Sequence, residues 1–221
     1  MALTLLDLCC GMGGWSIGFH REGFDCEGVD VLDLMYPYKL LLADVETFHP
    51  TKNYDVVVAS PPCTEFSQLT RLAVARGQRG AVDIEKGVRL IRACLRVIEE
   101  VEPRFWVLEN VAGSEKHITQ ILGKPKIKRG PWRLWGCFPN FLLPENPECM
   151  RKLNSPVASI RTDHDKVVHD KLNSVFAFNP IRSWFRAKIP FPLSIPLAKA
   201  CRAELENATE LNILSKEGVL E

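Results

Sequence analysis

The apolar run Val56-Val57-Val58-Ala59, followed at once by Ser60-Pro61-Pro62-Cys63, constrains this chain more than any other stretch. A short Val-rich run bounded by turn residues reads as a buried strand. Two consecutive prolines cannot donate to a strand ladder, so the chain must turn just where Cys63 is presented. A lone cysteine in an apolar protein is more often packing than chemistry. The weight of Cys63 therefore depends on what the rest of the chain delivers to the same place.

Four further strand ends carry chemistry-bearing residues. Leu3 to Leu8 reads as a first strand, followed by Cys9-Cys10-Gly11-Met12-Gly13-Gly14 and an amphipathic segment from Trp15 to about Glu22. A strand, a glycine turn and a helix in that order set backbone N–H groups and a helix N-terminus beside a cofactor. Phe24 to Asp30 reads as a second strand ending in an acid, and a carboxylate about 20 residues beyond a glycine turn can accept hydrogen bonds from both ribose hydroxyls of an adenosine-containing cofactor. Val31 to Tyr38 is too short for a crossover helix, and Lys39 to Ala43 is a third strand with Asp44 at its end. Arg71 to Asp83 has a poor apolar pattern and is expected to be a mobile loop over the site. Ile84 to Glu102 is a helix, with Val88, Ile91, Leu95 and Ile98 at helical spacing and Pro103 beyond its end. Phe105 to Leu108 is then a strand that delivers Glu109-Asn110-Val111. Strands alternate with helices or crossovers, and each candidate residue falls at a strand's C-terminal end. This is the ligand-binding edge of an α/β fold with a doubly wound, mostly parallel sheet.

The segments Asp7-Leu8-Cys9-Cys10-Gly11-Met12-Gly13-Gly14-Trp15, Pro61-Pro62-Cys63 and Glu109-Asn110-Val111 resemble, in this order, motifs of the cytosine-5 DNA methyltransferases. The resemblance covers residues 3 to about 115. It implies a Rossmann-like class I methyltransferase fold, S-adenosylmethionine as cofactor and cytosine in double-stranded DNA as substrate. It also implies that the Cys63 thiolate attacks carbon 6 of the cytosine and so activates carbon 5, and that Glu109 contacts the N3 and 4-amino edge. Attack at carbon 6 puts electron density on the ring, and a protonated carboxyl against N3 can supply the compensating proton. The implied cofactor cradle is Asp7, Cys9, Gly11, Gly13, Gly14, Trp15, Asp30, Val31, Asp44, Val45, Ser60 and Pro61, with Asp30 on the ribose and Asp44 on the adenine amino group. Cys9 stands where an aromatic residue is usual in the family.

Beyond residue 115 the pattern thins. Lys124 to Gly136 mixes cations with Trp132 and Trp135, which suits phosphate contact and base stacking. The family's Gln-x-Arg-x-Arg segment is absent; Arg133 is the substitute read here, with Arg161 as competitor. Residues 136–180 are few where DNA-reading family members usually carry a much larger recognition domain. Asn173-Ser174-Val175 echoes a family triplet and is read as chance. Ile189 leads into a last helix through Glu206. The organisation expected is a catalytic domain of residues 1–123 with 187–206, a small basic appendage and reduced target-recognition region over 124–186, and a flexible tail over 207–221.

Charge agrees with a polyanionic partner. Residues 1–70 carry 3 basic and 10 acidic side chains, residues 71–152 carry 16 and 9, and residues 153–221 carry 9 and 8, so the excess of positive charge lies in the middle third. Eight cysteines without CxxC or Cys/His spacing point to reduced thiols and no metal. No apolar run approaches the ~18 residues of a membrane span. A cytoplasmic monomer that contacts no membrane, of the kind found in restriction-modification, is the expectation. Two alternatives stay open: a tRNA cytosine-5 methyltransferase, and a catalytically silent nucleic acid binding module. Methyltransferases that act on amino groups follow a similar Pro-Pro turn with an aromatic residue, and Cys63 argues against them.

Overall fold

The computed structural model describes residues 2–77, 80–143 and 189–216. Its frame is a seven-stranded sheet in the order β3-β2-β1-β4-β5-β7-β6. The strands are β1 (Leu3–Leu8), β2 (Phe24–Asp30), β3 (Lys39–Leu42), β4 (Val56–Ala59), β5 (Phe105–Val111), β6 (Ile127–Arg129) and β7 (Trp132–Cys137). The first five run parallel, while β7 lies antiparallel to both β5 and β6. From β1 the chain winds outward to β2 and β3, then returns to β4 and continues to β5. The winding direction thus reverses between β1 and β4, which leaves a crevice at their C-terminal ends.

Alternation along the strands explains why both faces are covered. Leu5, Val56, Val58, Phe105, Val107 and Leu134 pack with Trp15 and Phe19 of α1 (Gly14–Arg21) and with Leu193 and Leu197 of a final helix, Phe191–Lys216. Leu6, Leu8, Val57, Ala59, Leu108 and Trp135 pack with Ile91, Cys94 and Val97 of α3 (Ile84–Val101) and with Ile118 of α4 (Glu115–Leu122). The final helix is α5, since α2 spans Gln68–Ala75. Asp83 caps α3 by accepting from the Lys86 N–H at 2.9 Å.

No helix separates β2 from β3, in line with the short Val31–Tyr38 connection. Tyr36 folds back under the sheet instead, and its hydroxyl donates to Ser16 Oγ at 2.6 Å. The buried Glu27 of β2 ties this edge together, receiving Lys39 Nζ at 2.5 Å, Lys52 Nζ at 2.7 Å and the Tyr54 hydroxyl at 2.6 Å. Burial alone would raise the Glu27 pKa, but these three partners hold it down at about 2.

Three boundaries differ from the sequence reading. Gln68–Ala75 is helical, whereas a loop was expected from Arg71 onward. Gln68, Arg71, Leu72 and Ala75 are exposed, and a helix of eight residues is too short to show a long apolar repeat. The hairpin of β6 and β7, assigned to the start of the 124–186 region, extends the main sheet through six register pairs between β5 and β7. Its Trp132, Leu134 and Trp135 are core residues. Finally, α5 continues past Glu206 to Lys216, since no glycine or proline interrupts it before Gly218. The remainder of 124–186 beyond Leu143, with Arg161 and Asn173-Ser174-Val175, lies outside the described residues, as do residues 217–221.

Helix α5 sits directly on α1. A side chain on Gly18 would place its Cβ 2.3 Å from Ser194 Oγ and 2.6 Å from Ser194 Cβ. Gly18→Ala is therefore expected to destabilise the protein by about 1–3 kcal/mol through overpacking, read as a lower denaturant midpoint at unchanged slope. An unchanged midpoint would mean that the two helices are not in contact here.

Candidate active site

The glycine loop leaves β1 and the cysteine loop leaves β4 at the point where the winding reverses, so the two loops are neighbours. Cys9 and Gly11 have left-handed backbone, with φ of 55° and 51°. Gly13, at φ 71°, caps α1, and Gly14 packs against the backbone of Ile189 just before α5. Asp30 holds this loop from the end of β2: its Oδ2 accepts from the Gly11 N–H at 2.9 Å and its Oδ1 from the Leu32 N–H at 3.0 Å. Each oxygen keeps a lone pair for a ligand hydroxyl.

Two adjoining cavities follow this edge. The larger, about 310 Å³, is lined by Asp30, Val31, Asp44 and Val45, and also by Pro62 and Leu90. The smaller, about 90 Å³, is lined by Asp7, Gly11, Gly14, Trp15 and Ser60, and closed by Ile189. Cys9 belongs to both. Asp44 Oδ1 accepts from the Glu46 N–H at 2.9 Å, which leaves its other oxygen for a ligand donor. Asp7 is fully buried, and its Oδ2 accepts from the Ser16 hydroxyl at 2.7 Å. Its Oδ1 has no hydrogen-bond partner among the described residues. Burial pushes the Asp7 pKa up to about 8, against the Ser16 hydrogen bonds that lower it.

The cysteine turn is held from several sides. The Phe66 and Ser67 N–H groups both donate to the Cys63 carbonyl at 3.0 Å, and the Ser60 N–H donates to the Leu8 carbonyl at 3.1 Å. Asn110, wholly buried on β5, donates from Nδ2 to the Pro61 carbonyl at 3.0 Å. Gly113 lies against Phe66 so closely that an added Cβ would stand 2.1 Å from the Phe66 carbonyl oxygen. Glu109, the neighbour of Asn110, is buried, and the Ser60 side chain acts to lower its pKa. Burial raises its pKa to about 8, so it is largely protonated at neutral pH. Burial and then the charge of Glu109 raise the Cys63 thiol to about 11. Cys63 itself is half-buried and free.

Cys63 and Glu109 are thus brought together, beside cavities lined by the expected cradle residues except Gly13 and Pro61, which line neither. Arg133 is not. In β7, Trp132 and Leu134 face α1 while Trp135 faces α3, so Arg133 shares the α4 side with Asn110, its register partner. There its Nε pairs with Glu115 Oε2 at 2.7 Å, and the guanidinium also donates to the Gly130 and Trp132 carbonyls. Glu109 faces the opposite side of the sheet. Residue alternation along β7 could have shown this had the strand's register been known. Ile189, Pro62 and Leu90 were missed as cavity wall, because only the fold brings a C-terminal segment and the second turn of α3 to this edge.

A mostly parallel sheet that reverses at β1 and β4, with an antiparallel final hairpin, is the Rossmann-like fold of the class I methyltransferases. A profile of the C-5 cytosine-specific DNA methylase family matches residues 3–122, and the chain belongs to that family. It is 35% identical over 96 residues to a probable DNA (cytosine-5)-methyltransferase of Frog virus 3, covering 41% of this chain and 45% of the viral protein. It is 31% identical over 134 residues to the type II methyltransferase M1.HphI of Haemophilus parahaemolyticus, covering 53% of this chain and 34% of that protein. With the type II methyltransferase M.AquIA of a Picosynechococcus species the identity is 30% over 132 residues, covering 51% and 50%. The chain thus spans half or less of the length of these relatives.

Two measurements check the electrostatics. The native state keeps a proton on Asp7 between the ordinary value of 3.8 and about 8, which the unfolded chain has released. The stability this provides is full below about pH 4 and lost as pH rises towards 8, at ~1.4 kcal/mol per pKa unit. Asp7→Asn should cancel this loss, so that its melting temperature gains on the wild type steadily from pH 4 to 8; parallel curves would show that Asp7 is ionised in the fold. For the thiol, Glu109→Gln removes the charge that pushes Cys63 up. Alkylation of Cys63 at pH 9, followed by peptide mass spectrometry, should then be several-fold faster, and equal rates would separate the two side chains.

Proposed function

We propose that the protein transfers a methyl group from S-adenosylmethionine to carbon 5 of cytosine in duplex DNA, through a covalent adduct of Cys63. The observation that carries this reading is the pairing of a half-buried thiol with an acid that burial keeps protonated. General acid catalysis needs such a group where negative charge develops on the ring, and an ionised carboxylate would oppose the attack.

The residues fit the cofactor. Asp30 and Asp44 offer free acceptor positions in the larger cavity for ribose hydroxyls and an adenine amino group, while the unpartnered Asp7 Oδ1 in the smaller one suits an ammonium group. When bound, S-adenosylmethionine supplies an electrophilic methyl group. The chain's own residues do the rest. Cys63 gives up its proton to water and its sulfur bonds carbon 6; Glu109 holds a proton against N3 as electron density reaches the ring; after transfer the proton on carbon 5 passes to water, its electron pair re-forms the 5,6 double bond, and the carbon 6–sulfur bond breaks to release the thiolate. Cytosine in a duplex is stacked, so it must be extruded to reach a thiol recessed at a sheet edge.

Labelled S-adenosylmethionine should transfer its methyl to duplex DNA in preference to tRNA, and a duplex containing 5-fluorocytosine should trap the protein covalently because fluorine cannot leave as a proton does. Cys63→Ser should abolish both readouts. Glu109→Gln should lower kcat by ~10²–10⁴. DNA affinity should fall with salt at a slope of about −0.9 per phosphate neutralised. Preferential labelling of tRNA with no trapped DNA adduct would replace duplex DNA by tRNA as substrate, and transfer by Cys63→Ser at the wild-type rate would overturn the covalent route.

A further inference from the structure

Asp44 lies beyond the end of β3, at the start of a turn that closes on it. The Thr47 and Phe48 N–H groups donate to the Asp44 carbonyl at 3.0 and 2.8 Å, and the Glu46 N–H donates to Asp44 Oδ1 at 2.9 Å. The carbonyls of this turn are met from outside, by Arg96 of α3. Its Nη2 donates to the Phe48 carbonyl at 2.8 Å and to the Val45 carbonyl at 3.0 Å, with the Glu46 carbonyl at 3.5 Å. Its Nη1 donates to Glu100 Oε1 at 2.5 Å, one helical turn further on, and stands 3.1 Å from His49 Nδ1, which meets Glu100 Oε2 at 3.0 Å. Two turns before Arg96, Arg89 pairs through Nε with Glu46 Oε1 at 2.5 Å. One face of α3 therefore grips the whole turn.

Asp44 itself is exposed while Val45 is buried, so packing seats the turn but does not aim the carboxylate. Hydrogen bonds must do that. A planar guanidinium fixes the spacing of the carbonyls it binds, and Glu100 in turn fixes the guanidinium. We propose that Arg96 is a positioning residue for cofactor recognition: it holds the 44–48 turn in the shape that keeps the second Asp44 oxygen open to the larger cavity, and so sets the preference for a base with an exocyclic amino group. This rests on the reading of Asp44 as the acceptor for the adenine amino group. Without the guanidinium, the Val45 and Phe48 carbonyls turn to water, and the carboxylate no longer waits at one point. Leu90 lines the same cavity, so its wall and the tie to the turn belong to one helix.

The test is calorimetry on the full chain with S-adenosylhomocysteine and with S-inosylhomocysteine, in which a carbonyl oxygen replaces the amino group. The wild type should bind the adenosyl compound about tenfold more tightly, the worth of one charge-assisted hydrogen bond. Arg96→Met keeps a long stem without donors; it should lose most of this preference, by weakening the adenosyl compound and leaving the inosyl compound within twofold. Glu100→Gln keeps Arg96 but removes its counter-charge, and should shift the preference the same way by a smaller factor. In an Asp44→Ala background, Arg96→Met should change neither affinity further. An unchanged preference in Arg96→Met, or in Glu100→Gln where Arg96→Met does not fold, would make Arg96 a structural tie only and overturn the proposal, whether the two affinities fall together or not at all. If Asp44→Ala keeps the wild-type preference, the adenine reading of Asp44 fails, and the proposal with it.

Discussion

The site depends on two carboxyl groups being kept out of water at the point where the sheet reverses. Asp7 and Glu109 lie on neighbouring parts of one edge, each buried and each raised to about 8. A buried carboxyl without partners is costly, and for Asp7 the fold meets that cost with a relay of hydroxyls. Tyr36 donates to Ser16, which donates to Asp7, and Trp15 donates to Ser60, whose side chain lowers the Glu109 pKa against the effect of burial. Trp15 and Ser16 are consecutive residues in the first turn of α1, so one turn of helix holds both Asp7 and the Ser60 side chain. The packing that seats α1, with Phe19 in the core and Gly18 against Ser194, is by this route also what holds these two side chains in place.

Much of this was legible before any coordinates. Parallel strands buried on both faces read as plain apolar runs, and Val56-Val57-Val58-Ala59 lies in the middle of the sheet as such a run must. Glycine turns and prolines marked where strands ended, and the ends are where a doubly wound fold places its ligands. Arg133 shows where reading by position stops. It follows Gly130-Pro131 in the expected place, but which face of β7 it occupies depends on register, and register is set by core partners distant in sequence. The cavity wall from Ile189 was hidden for the same reason, since a residue far along the chain acquires a role only once α5 docks. Helix α2 went unread because it is only eight residues long and runs straight into Gly77, and the hairpin of β6 and β7 looked like a basic appendage because its cations stand beside tryptophans that are buried.

The polar groups around Cys63 also explain why the turn is built from prolines. Proline gives up its donor, so the turn exposes carbonyls with few local partners, and a buried carbonyl left unpaired costs about 1–3 kcal/mol. Asn110 answers one of them from the next strand, and its position beside Glu109 means that the residue fixing the thiol loop and the residue holding the acid are set by one stretch of backbone. Neither can shift without the other.

That shared anchorage bears on which body moves. With Asn110 gripping Pro61, Gly113 flush against Phe66 and Ser60 tied to Leu8, the sulfur rides on the rigid part of the molecule and has no hinge of its own. It behaves as an anvil: in the reaction proposed above, the ring is brought to it, and the accuracy of the encounter is set by whatever carries that ring.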